Sequence, residues 1–291
     1  MKLILAYLAA FGLLIVVAIV VVNAICVIRI FRVTSKLRTP RDTVSIFEVD
    51  PDSVEDPGEV EFLLGCHEEA TRAGLRFVAE IESCDDPIRL LFSCWQVPGT
   101  DLMVTYIRNT IPAAPKVKSW KHIEVHTRSA RKPTVVATTS EFTLMCPARD
   151  LPKDTTTIVR PRGTGAIELV AVAWALSVRQ SVDLGEQPDL DDYLHEAREQ
   201  RRQEFDRLVA AGIMWETVEG EFRSGWRWTV RSALSNTPML GASRSKRRKA
   251  RCEQLLQELR DYLPDDLEAD WIIPAVQDRV RTGSTAPLTQ T

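Results

Sequence analysis

The hydrophobic and polar positions of this chain separate one long apolar run from mixed segments over the remaining length. No charged residue occurs between Leu3 and Ile28, a stretch built mainly of Leu, Ile, Val and Ala. As a helix rising about 1.5 Å per residue, this stretch is longer than the roughly 30 Å hydrocarbon core of a bilayer. The pattern predicts a transmembrane anchor over 1–28, with Leu3, Leu14 and Ile28 inside the membrane.

A cleaved signal peptide is the main alternative to a retained anchor. Residues 22–24 fit a small-x-small cleavage pattern, but the apolar run continues to Ile28 and is longer than the usual signal core of about 7–15 residues. A lipoprotein signal is disfavoured because bulky Ile25 precedes Cys26. A buried core helix rarely contains so long an uncharged run. We therefore favour an anchor that stays attached.

The charges that flank the apolar run predict its orientation. Only Lys2 and the α-amino group precede it, whereas five basic residues follow it closely, namely Arg29, Arg32, Lys36, Arg38 and Arg41. Because cytoplasmic flanks carry the excess of Lys and Arg, we expect the N-terminus outside and the rest of the chain in the cytoplasm. Five cysteines lie beyond the run, and this odd number fits reduced cytoplasmic thiols better than a secreted disulfide framework.

Composition narrows the class of protein further. The 291 residues are 45% hydrophobic and 26% charged with a net charge of −3, as in an ordinary folded protein. A mean hydropathy of −0.10 excludes a polytopic membrane protein. The acidic balance excludes a chain that coats nucleic acid over its whole surface, so we do not expect a nucleic-acid partner.

Past the apolar run, helical and strand patterns predict an α+β fold. Between 42 and 70 the chain has ten acidic residues and no Lys or Arg, which indicates a solvated linker that runs into a helix over 59–73. Segments rich in β-branched and aromatic residues then predict strands at 76–82, 88–96, 102–108, 120–128 and 134–139. Their close spacing favours an antiparallel meander. The apolar segment 166–179 is interpreted as a buried helix that closes the sheet, with a strand as the alternative.

A second, mainly helical part is predicted after residue 185. It contains a charged amphipathic helix over 189–211, a hairpin over 219–234 in which Trp226 and Trp228 alternate with polar residues, and a last helix reaching 262. The predicted organisation is an anchor over 1–28, a basic then acidic juxtamembrane linker over 29–58, an α+β module over 59–184, a helix-hairpin-helix module over 185–281 and a disordered tail over 282–291.

His122, Glu124 and His126 form the most noticeable cluster of possible ligands. The alternation around them predicts a strand, where all three share a face but the two imidazoles stand about 13 Å apart. One zinc ion cannot bridge that distance, so we expect a sheet face rather than a metal site. The cysteines show no C-x-x-C spacing, and a nucleophilic Cys66 or Cys94 beside a distant His stays open because sequence gives no geometry.

Two basic segments remain as candidate anion sites. The first, 160–165, has two arginines and two glycines before a helix but lacks a P-loop ending, so a simple loop is the better interpretation. The second is the strongest signal beyond the anchor, a cluster of six basic residues, Arg244, Lys246, Arg247, Arg248, Lys249 and Arg251. Placed at a helix N-terminus, it opposes the helix dipole. It fits a solvated segment, a contact with anionic lipid headgroups, a local contact with nucleic acid, or an internal latch on the acidic segment.

No motif in the chain indicates a catalytic mechanism or a cofactor, and we expect none to be bound. The hypothesis is a single-pass protein that places an α+β binding or scaffolding domain against the bilayer, with an unidentified protein partner. One alternative is an enzyme that acts on a membrane-proximal substrate around His122, Glu124 and His126. The other is an accessory subunit of a membrane complex, which a broad exposed apolar patch would indicate.

Overall fold

The computed structural model describes most of the chain. The described residues are 2–34, 38–40, 46–50, 54–85, 88–111, 118–127, 134–140, 155–185, 193–226, 229–230, 238–267 and 270–290. Within these ranges the chain forms six helices and ten strands. The predicted α+β class is therefore confirmed.

The helices occur before, between and after the strands. They are α1 (Lys2–Thr34), α2 (Pro57–Arg72), α3 (Ala166–Arg179), α4 (Tyr193–Ala210), α5 (Pro238–Glu258) and α6 (Ile272–Thr282). The helices predicted over 59–73 and 166–179 correspond to α2 and α3, and α4 covers the described part of the helix predicted over 189–211. Within the described part of the chain, no helix is long and apolar enough to cross a membrane. In α1, the side chains are described without a break only from 13 to 28.

A seven-stranded sheet forms the centre of the fold, with its strands in sequence order. They are β2 (Ile46–Glu48), β3 (Arg76–Asp85), β4 (Ile88–Gln96), β5 (Leu102–Ile111), β6 (Lys118–Thr127), β7 (Thr134–Thr138) and β8 (Thr155–Val159). Neighbours from β2 to β7 are antiparallel, as predicted, but β8 lies parallel to β7 and makes the sheet mixed. The sequence analysis missed both edge strands, because three and five residues give almost no period-two signal.

Three short strands form a second sheet beside α4. Its order is β1 (Arg38–Pro40), β10 (Glu221–Ser224) and β9 (Met214–Glu216), all antiparallel. Phe222 of β10 is fully buried and stacks on Phe205 of α4 with ring centroids 4.8 Å apart. The hairpin predicted over 219–234 is thus wrong in position. Trp226 follows β10 in a helical turn rather than in a strand. The alternation of Trp226 and Trp228 with polar residues therefore gave a wrong prediction at Trp226, and 227–228 lie outside the described residues.

The main hydrophobic core lies between the large sheet and α3. Trp174 and Leu176 of α3 are almost fully buried, and they share one cluster with Val104 of β5 and Val125 of β6. Burial of each such side chain contributes about 1.5–3 kcal/mol. α3 is apolar on nearly every side because α6 packs on it as well as the sheet.

The predicted boundary near 185–188 does not divide this core. Leu259, Ile272 and Val276 belong to the same hydrophobic cluster as the sheet and α3. The chain after 185 therefore completes the core with α6 and the residues that follow α5. It also supplies the separate small cluster around Phe205 and Phe222.

The segment after α6, predicted to be disordered, packs back onto the protein. Gly283 ends α6 in the left-handed region, with φ of 65°. Leu288 is only 2% exposed, and its backbone N–H donates to the carbonyl of Tyr262 at 3.1 Å. Disorder was predicted because this tail consists mainly of small and polar residues, but its one large apolar residue, Leu288, belongs to the main hydrophobic core.

Candidate functional site

Most of the described apolar side chains of α1 are exposed, and they lie on all sides of the helix. Leu14 is 67% exposed, Val20 60% and Ile28 51%. The exposed residues include consecutive positions, and since each residue turns the helix by about 100°, they cover its whole circumference. Asn23 donates its side-chain amide to the carbonyl of Ile19 at 2.7 Å, so this polar group is satisfied within the helix. Such a surface differs from the apolar stripe of a helix that packs on a soluble core.

The predicted flanking residues lie around the end of α1. Arg29 and Arg32 occupy its last turns, with the Arg32 side chain exposed, and Arg38 begins β1. Lys36 and Arg41 lie outside the described residues. Leu3 is part of α1, but its side chain is also outside them. The described basic residues that follow the apolar run therefore lie in the last turns of α1 and at the start of β1.

The acidic segment that precedes the sheet is partly built into the domain. Asp56 caps α2 by accepting the backbone N–H of Gly58 at 2.7 Å. Glu59 is buried and lies 3.1 Å from the Arg89 guanidinium. Burial raises the pKa of Glu59, and Arg89 opposes that shift. The predicted linker over 29–58 is therefore wrong over much of its length, because it contains β1 and β2, which belong to the two sheets. Asp56 and Glu59 fix the start of α2 against the sheet.

The polybasic cluster lies in the interior of α5. Lys246, Arg247, Lys249 and Arg251 are exposed, Arg248 is half-buried, and the side chain of Arg244 is outside the described residues. α5 begins at Pro238, so the expected conflict between this cluster and a helix N-terminus is wrong.

Contacts of α5 with other elements fix the position of this cluster in the fold. Toward its C-terminal end, Cys252 is buried beside the carbonyl of Thr157, and Glu258 pairs with Arg179. α5 also contacts α1 directly. The exposed cations therefore lie on a helix that touches the apolar one.

His122, Glu124 and His126 share one face of β6, as the alternation predicts. His122 Nδ1 lies 3.1 Å from the side-chain nitrogen of Asn109, whereas Glu124 and His126 are 3.9 Å apart, too far for a hydrogen bond. Burial raises the pKa of Glu124 to about 7 and lowers the pKa of both histidines to about 4. Within the described ranges, no group of three His, Cys, Asp or Glu side chains could hold a metal ion.

Neither Cys94, near this face, nor Cys66, in the main core on the other side of the sheet, is an activated nucleophile. Burial raises the pKa of Cys94 and of Cys66 to about 12, so both thiols stay protonated at neutral pH. The Tyr193 hydroxyl lies 3.7 Å from the Cys94 sulfur and covers it. A cleft of about 620 Å³ lies elsewhere, between the turn at Pro98 and α6, and its lining contains no His or Cys. The enzyme alternative thus gains no support from these groups.

The loop over 160–165 and the helix start after it are already paired with carboxylates from α2 and α3. Arg160 pairs with Glu168 of α3. Glu69 of α2 accepts the backbone N–H of Ala166 at 3.1 Å, which places a carboxylate at the start of α3 where a phosphate would bind. The sequence analysis missed this role of Glu69, because the two residues are 97 positions apart. The sequence analysis also missed the exposed residues Trp215 and Val218. The apolar run of Ile213, Met214 and Trp215 could have indicated a strand there.

Comparisons with known proteins found no relative of this chain. No family model matches the chain, and searches of curated proteins and of solved structures found no match. The interpretation therefore depends on the geometry of α1, the β1–β10–β9 sheet and α5.

Proposed function

We propose that this chain is a single-pass membrane protein in which α1 crosses the bilayer and holds an α+β binding or scaffolding domain at the cytoplasmic surface. The observation that carries the proposal is the exposure of large apolar side chains around the described part of α1, from 13 to 28. A helix of this kind is stable in lipid, where its internal hydrogen bonds satisfy the backbone.

The size of the driving force supports a spanning helix over a surface-bound one. Seventeen Leu, Ile, Val and Phe residues lie between Leu3 and Ile28. At about −0.3 to −0.6 kcal/mol each near the helix centre, they favour insertion by roughly 5–10 kcal/mol. α1 has 33 residues and is about 50 Å long, which exceeds the bilayer core and leaves its basic end in the headgroup region.

The orientation follows from the basic residues at the C-terminal end of α1, and protease protection tests it. The full chain carries one epitope at each end and is studied in membrane vesicles of known sidedness. We expect added protease to remove the C-terminal epitope only in inside-out vesicles and the N-terminal epitope only in right-side-out vesicles. Removal of both epitopes on the same side would contradict a single crossing, and the opposite pattern would contradict the orientation.

The exposed cations of α5 would form a second, electrostatic contact with anionic headgroups. Each basic residue near an anionic surface contributes about 1 kcal/mol, and this contribution falls at high salt. The support is positional: α5 touches α1, and Lys246 and Lys249 are exposed on it.

Lysine acetylation of the full chain in nanodiscs tests the α5 contact without any substitution. Mass spectrometry measures the acetylation rate of each lysine in zwitterionic and in anionic bilayers. Lys246 and Lys249 should react more slowly in the anionic bilayer and recover at 0.5 M salt. Exposed Lys121 on β6 provides the internal control and should not change. Equal rates for Lys246 and Lys249 in both bilayers would refute the contact.

A further inference from the structure

The hairpin of β9 and β10 is connected to the end of α1 by a very short path. α1 ends at Thr34, and β1 begins four residues later at Arg38, which pairs with Arg223 of β10. Four residues span at most about 14 Å of extended chain. Arg223 of β10, and Trp215 that pairs with it in β9, therefore lie close to the end of α1.

The hairpin and the turn after it carry the two most exposed large apolar side chains that the structure describes. Val218, at the tip, is fully exposed, and Trp226, just after β10, is 70% exposed. Trp215 of β9 is 50% exposed. The opposite side is packed, since Phe222 is fully buried against Phe205. The apolar exposure is thus confined to one side and to the tip.

The charges around these side chains argue for an apolar contact rather than an electrostatic one. Trp215 is register-paired with Arg223, whose guanidinium lies 6.0 Å from the indole ring. Carboxylates are also present at the tip, with Glu216 and Glu219 exposed. An indole beside an arginine is the combination that occupies the boundary between headgroups and acyl chains.

We infer that the β9–β10 hairpin and the turn after it form a further membrane contact, in which Trp215, Val218 and Trp226 enter the interfacial layer of the bilayer next to α1. The occupant of this surface is lipid, and the contact does not require anionic headgroups. It differs in this respect from the contact proposed for α5, because apolar burial is insensitive to salt. The inference rests on the proposed anchoring by α1.

A fluorescent probe at the tip tests the contact in the full chain. Val218→Cys carries an environment-sensitive fluorophore, and the protein is reconstituted in zwitterionic vesicles with or without a nitroxide on the acyl chain. Val218 makes no packing contact that the substitution could remove, because it is fully exposed. Leu64→Cys on α2 is the matched control, an apolar residue that is 67% exposed. The unsubstituted protein, labelled in parallel, gives the background from its native cysteines.

Each result either supports or overturns the inference. We expect the probe at 218 to emit at shorter wavelength and to lose at least half of its emission to the nitroxide lipid, at both low and high salt, while the probe at 64 does not. A water-like emission at 218 would overturn the inference. A blue shift without quenching by the nitroxide would also overturn it, because protein rather than lipid would then cover the site. Vesicle flotation separates the two proposals, since failure to float rejects the anchor itself.

Discussion

Replacing Glu124 by Gln should stabilise the protein above pH 7 and leave its stability nearly unchanged below pH 5. Burial raises the pKa of Glu124 from 4.5 to about 7 in the folded state. A carboxyl with a raised pKa contributes stability that is complete below about pH 4.5 and is lost as the pH rises through 7. Gln resembles the protonated acid, so it avoids this loss.

The expected size of the effect comes from the same shift in the pKa. A displacement from 4.5 to about 7 corresponds to about 3 kcal/mol as an upper bound. The Glu124 side chain is 31% exposed, so water screens part of the penalty, and we expect about 1–2 kcal/mol above pH 7. For a domain of this size, the gain corresponds to roughly 2–8 °C in melting temperature.

Thermal unfolding of the full chain in nanodiscs, followed between pH 4.5 and 8.5, measures this difference. Glu61→Gln, on an exposed position of α2, is the matched control and should give a curve parallel to that of the wild type. A Glu124→Gln variant that is less stable than the wild type at pH 8 would refute the reasoning. That result would mean that Glu124 is ionised and stabilised by His126, 3.9 Å away, rather than penalised by burial.

Three further substitutions test particular contacts. Glu69→Ala removes the acceptor at the start of α3 and should cost about 0.5–2 kcal/mol in chemical denaturation, whereas an unchanged midpoint would contradict the capping role. Leu288→Ala should cost about 2–5 kcal/mol, and a cost below 0.5 kcal/mol, as an estimate for a surface site, would show that the tail is not packed. Phe222→Ala should cost about 3–5 kcal/mol and expose the β9–β10 hairpin to limited proteolysis, while an unchanged digestion pattern would contradict the stacking on Phe205.

The central elements of the fold could be predicted from sequence because their signals are local. β3 to β7 are rich in β-branched and aromatic residues over five to ten positions, and α3 is apolar at most of its positions. The bounds of α3 agree with the prediction to the residue. In contrast, β2 and β8 are too short to show a period, and the parallel pairing of β8 with β7 follows a connection of sixteen residues that no local rule specifies.

The candidate site was predictable only where one segment carries the whole signal. The apolar run and the basic cluster can be recognised without knowing the fold. The side on which the cluster lies could not, because the contacts of α5 with α1 and with β8 are tertiary. The pairing of β1 with β10 joins residues that are more than 180 positions apart, so the proximity of Trp215 to the end of α1 has no sequence signal at all.

Sedimentation of native membranes after an alkaline carbonate wash tests the central claim most directly. The wash releases proteins held by charge or by other proteins, but not those whose helix crosses the hydrocarbon core. We predict that the full chain stays in the pellet at pH 11 and enters the supernatant only when detergent is added. Recovery of the intact chain in the supernatant without detergent would show that α1 does not span the bilayer.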